Sequence, residues 1–71
     1  MTWNHRIVRF PDPYGFEDHL VICECFYGKD GKLEGHTMTG VTVGSETVEG
    51  LRWVLEQMLK SLDKPIVEYM K

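Results

Sequence analysis

Seventy-one residues, 42% hydrophobic and 27% charged with a net charge of −3, describe one domain. A chain this short hides only about 60% of the surface its unfolded form exposes, so its stability is marginal and a partner subunit, disulfide or metal becomes a relevant support. No apolar run approaches the roughly 20 residues of a bilayer span, no leader with a cleavage site is recognisable, and Lys and Arg are scattered singly. A cytoplasmic protein with neither membrane nor nucleic acid as partner is expected.

In chain order, residues 3–10 ("WNHRIVRF") carry aromatic and β-branched side chains up to Pro11 and predict a first strand. "PDPYGFED" is a turn-rich loop that exposes Tyr14 and Phe16. Residues 19–27 ("HLVICECFY") predict the second strand. Asp30-Gly31 then supplies the chemistry of a tight hairpin, with Gly31 in the left-handed conformation, and residues 32–39 return as a third strand. "GVTVG" reads as an extended continuation or a short extra strand.

From residue 48 to 63, Val48, Leu51, Leu55, Met58, Leu59 and Leu62 recur at spacings of three and four, which predicts an amphipathic helix whose apolar stripe lies on the sheet. Thr47 is the expected N-cap, with Ser45 as the alternative, and Pro65 stops the helix at or before Lys64. The tail, 65–71, keeps enough apolar character to pack. The expectation for residues 1–71 is a single α+β domain: an antiparallel meander sheet of three or four strands with one C-terminal amphipathic helix packed on one face.

Strand alternation puts Val21, Cys23, Cys25 and Tyr27 on one face, which is predicted to receive the helix. A three-residue hairpin loop sets Gly28 against Lys32, Tyr27 against Leu33, Cys25 against Gly35 and Glu24 against His36. The two cysteines, about 6.6 Å apart at Cα with parallel side chains, are poorly placed for a disulfide and read as small buried hydrophobes. The alternative is a metal or redox site in which Cys23 and Cys25 recruit His5 or His19, which parity allows on the same face. No cofactor is expected. Glu24 beside His36 reads as a cross-strand ion pair, since no nucleophile motif accompanies it and a strand face is not a cleft.

The second face carries Ile22, Phe26 and Met38, and either the tail or a second copy of the chain must cover it. Trp53 points away from the leucine stripe and is a candidate docking point, or else it lies under the tail against Tyr69. The function expected is a non-catalytic protein-interaction module, binding itself as a homodimer or another protein through Trp53, Tyr14, Phe16, Ile22, Phe26 and Met38.

The segments "WNHRIV", "YGKDGK" and "GSETVEGLRWVLEQMLKSLDKP" resemble a family of short bacterial proteins without an established activity. That resemblance implies a small sheet followed by one helix. A second, weaker likeness is to HicB-type antitoxins, whose helix opens after a Gly-x-Thr turn similar to Gly44–Leu51 here. The "FPD" segment stands before the second strand rather than ahead of that turn, and no DNA-binding helix-turn-helix or ribbon-helix-helix segment follows within these residues. The likeness therefore implies fold rather than toxin or operator binding.

Overall fold

The computed structural model describes residues 2–70; Met1 and Lys71, the ends of the expected domain and tail, lie outside the described residues. Strand β1 (Thr2–Phe10) pairs antiparallel with β2 (His19–Tyr27) without interruption from Thr2↔Tyr27 to Phe10↔His19. The loop between them is held by Asp12. Its carbonyl accepts from the Gly15 N–H at 3.1 Å and its carboxylate from the Phe16 N–H at 2.6 Å, while Gly15 takes φ 77°, open to a residue without Cβ.

Strand β3 (Leu33–His36) follows the expected hairpin. The Gly28 N–H donates to the Lys32 carbonyl at 2.9 Å, the Gly31 N–H donates to the Gly28 carbonyl at 3.0 Å, and Gly31 has φ 78°. Tyr27 faces Leu33 as predicted, but the ladder then shifts, so that Phe26 faces Gly35 and Cys25 faces His36. One extra residue on β3 is a bulge, and it moves every later side chain to the other face. The expected pairs Cys25–Gly35 and Glu24–His36 are thereby replaced. The strand is also shorter than 32–39: past His36 the chain keeps beside β2 through Thr37 N–H to Glu24 O and Val41 N–H to Ile22 O, both at 2.9 Å.

Helix α1 (Val48–Ser61) starts where its cap predicts, with the Thr47 hydroxyl accepting from the Gly50 N–H at 2.9 Å, and Ser45 supports the cap from behind by accepting from the Thr47 N–H. The tail supplies the fourth strand, β4 (Val67–Glu68), which pairs parallel to β1 through Val8↔Val67 and Arg9↔Glu68. The sheet order is β3-β2-β1-β4. "GVTVG" contributes no strand. The Arg6 guanidinium secures this edge, donating to the Pro65 carbonyl and, at 3.0 Å, to the Tyr27 hydroxyl, which in turn donates to Asn4 Oδ1 at 2.8 Å.

The two edges of the sheet meet. His36, on β3 at one edge, packs its ring 5.8 Å from that of Tyr69, which follows β4 at the other edge, with Phe10 between them at 5.7 and 5.2 Å. The Met70 N–H donates to His36 Nε2 at 2.9 Å, and Nδ1 lies 2.8 Å from the Thr37 carbonyl, which assigns the imidazole proton to Nδ1. The sheet is thus curled, and the cysteine face is its concave inside. Val8, Cys23, Cys25 and Val67 fill that space with Phe10, Val21, Tyr27 and Leu33 against them. Among the described residues this cluster is formed by the sheet alone.

The placement of the helix corrects the sequence expectation. It was expected on the cysteine face; its contacts are with β1, and at its end Leu62 stands over Ile7, Leu20 and Ile22, which alternate with Val8 and Cys23. The helix therefore lies on the convex side. His5 is buried on that side, opposite Glu24, with its ring edge-on to Trp3. The tail and helix have exchanged the roles read from sequence.

Candidate interaction surface

The residues of α1 that turn inward include small and polar ones beside two apolar ones. Gly50, Val54, Gln57 and Met58 are half-buried and Ser61 is fully buried. At about 100° per residue these five share one side. Ser61 satisfies its hydroxyl on the Met58 carbonyl of its own helix, which lets so small a polar group sit without loss against the sheet.

The predicted stripe consequently faces away. Val48 is 72% exposed, Leu55 53%, Leu59 65% and Leu62 55%, and only Met58 of the stripe turns inward with Leu51 half-buried. Val48, Leu51, Leu55 and Leu59, together with Arg52 and Glu56, line a shallow groove of about 450 Å³ along the helix. Scattered exposed leucines are ordinary, whereas a contiguous row of them on one helix face marks a contact surface.

The residues singled out from sequence do not converge. Trp53 is half exposed on the helix flank opposite the leucines, and Tyr69 packs with Phe10 and His36 instead of under it. Tyr14 and Phe16 are both more than four-fifths exposed on the Asp12 loop. Ile22 and Phe26 are half-buried on the convex side, where Leu62 and Ile22 line one hollow, and Met38 is exposed beyond the end of β3. The second face was expected to need the tail or another copy as cover; the helix supplies part of that cover. The leucine groove was missed because the sequence shows a stripe without showing what it lies against.

The chemistry of the polar groups is correspondingly quiet. Cys23 and Cys25 are free, fully buried thiols, both pushed above the ordinary thiol range by burial; for Cys25 the Arg6 charge works in the opposite direction and the neighbouring Cys23 in the same one. His5, placed by parity with the cysteines, lies on the other face, and His19 sits exposed at the strand end. Among the described residues no three His, Cys, Asp or Glu side chains gather as metal ligands. Glu24 and His36 are parted by the bulge: Glu24 borders a small hollow of about 220 Å³ with Thr37, Thr39 and Thr42, while His36 faces the inside of the curl. Among the described residues no helix is long and apolar enough to cross a membrane.

No family model matches this chain, and searches of curated proteins and of solved structures give no match either. A functional reading has to rest on the surfaces of the chain itself.

Proposed function

We propose that this chain is a small cytoplasmic, non-catalytic module that works by binding protein, with the outward leucine face of α1 as its contact surface. The observation that supports the reading is the rotation of the helix about its axis: Gly50 and Ser61 are turned toward the sheet beside Val54 and Met58, while Leu55, Leu59 and Leu62 on the adjoining flank are more than half exposed. A helix read for fold stability alone would be expected the other way round, because each fully buried leucine stabilises by about 1.5–3 kcal/mol relative to exposure. Selecting leucines for a side that the fold does not cover makes sense where another molecule covers it.

The test is solution mass together with fold. Wild type is expected to rise above 8.3 kDa with concentration in light scattering. Leu55→Lys and Leu59→Lys are expected to keep the wild-type circular dichroism and remain at the monomer mass. If both variants unfold, the face belongs to the core and the reading is wrong; if both fold and still associate as wild type does, the contact lies elsewhere.

A further inference from the structure

Resting on that reading, we infer that the occupant of the leucine groove is a second copy of the same helix, lying antiparallel across a twofold axis near Leu55. Three features of the surface lead there. The first is the row Leu51, Leu55, Leu59, spaced by four, which is symmetric about its middle member. An antiparallel copy therefore sets Leu51 of one protomer against Leu59 of its partner, and the reverse, with Leu55 meeting itself.

The second is charge. Arg52 and Glu56 flank the row in the same groove, and among the described residues neither forms an ion pair within the chain. A twofold axis perpendicular to the helix, lying in the interface, brings each flank against the same flank of the copy. Arg52 then meets the partner's Glu56 while Glu56 meets the partner's Arg52, so that the two glutamates brought together at the axis each have a guanidinium beside them. A parallel pair would instead set this flank against the other side of the row, where Val54 and Met58 turn toward the sheet and no such charges stand.

The third is continuity. At the C-terminal end of the stripe, Leu62 joins Ile7, Leu20 and Ile22 around an apolar hollow of about 280 Å³. In the antiparallel arrangement the hollow receives the partner's Val48, the most exposed member of the stripe. Twofold symmetry repeats this contact at the other end. The added area matters, since one short helix face alone falls below the roughly 800 Å² per partner of a stable interface.

The closing experiment uses single cysteines on the stripe, the native thiols being buried. Leu51→Cys and Leu59→Cys proteins are mixed at a concentration where wild type is associated, and air-oxidised. A disulfide dimer joining position 51 to position 59 is expected in the mixture, with little cross-linking of either variant alone. In parallel, Arg52→Glu and Glu56→Arg should each weaken association roughly tenfold, and the double variant should recover it. Strong self-cross-linking of each variant alone, or association indifferent to both charge reversals, would overturn the antiparallel pairing while leaving the leucine face as the contact. Wild type that stays at monomer mass up to millimolar concentration would overturn the second copy as occupant, whereas unfolding of Leu55→Lys would remove the reading beneath it.

Discussion

The inside of the curl and the outside of the helix are both apolar, yet they are built on opposite terms. Inside, the small and branched side chains Val8, Val67, Cys23 and Cys25 are buried with Phe10, Tyr27 and Leu33 packed against them, and they are enclosed by the chain's own edges. Outside, the larger leucines stand free. Apolar content by itself thus does not say where a core is; whether the rest of the chain encloses it does.

That contrast can be broken most forcefully at Val8. Val8→Ala should cost about 2–3 kcal/mol in urea unfolding at a protein concentration low enough to keep the chain monomeric, because the lost methyls leave a void among groups that cannot close on it. Leu59→Ala measured the same way should change stability by less than about 0.5 kcal/mol. Equal costs at the two positions would erase the distinction between the regions.

Smaller effects sharpen it. Arg6→Ala should lose about 1–2 kcal/mol, since it leaves the Pro65 carbonyl and the Tyr27 hydroxyl without their donor, and amide exchange at Tyr69 should accelerate along with it. Thr47→Ala should cost about 1 kcal/mol through the helix cap, with no effect on the thiols. Last comes pH. The raised thiols of Cys23 and Cys25 mean that the unfolded chain releases these protons first on titration. Stability is therefore unaffected by them at neutral pH and falls as pH rises through the ordinary thiol range and beyond. Denaturation midpoints at pH 7 and pH 10, compared between wild type and Cys23→Ala, measure that loss; an equal fall in both would assign it to other groups.

Much of this fold was legible from local chemistry. Asp30-Gly31 gave the hairpin, Thr47 the helix start and the alternating apolar run the span of β2, because each depends on a few neighbouring residues. Three things were not. The bulge at β3 adds one residue without any compositional mark, so His36 changed face and left Glu24. β4 is two residues long after Pro65, too short for a period. The helix side was misassigned because a period of 3.6 fixes which residues share a face and says nothing about which neighbour that face meets. Of the expected contact residues, Trp53, Tyr14 and Phe16 are exposed, while the leucines, read as core, form the broader surface.

Strand β1 has its two neighbours from very different parts of the chain: β2 a loop away, and β4 almost a full chain length later. Closing so large a loop costs entropy before the two-residue ladder returns anything. The hairpins are thus expected to form early from nearby contacts, with the Val67 edge docking last and opening first. Until it docks, the thiols and Val8 lie beside an unzipped border, which makes the final few residues the guard of the interior and the natural place to look for the earliest step of unfolding.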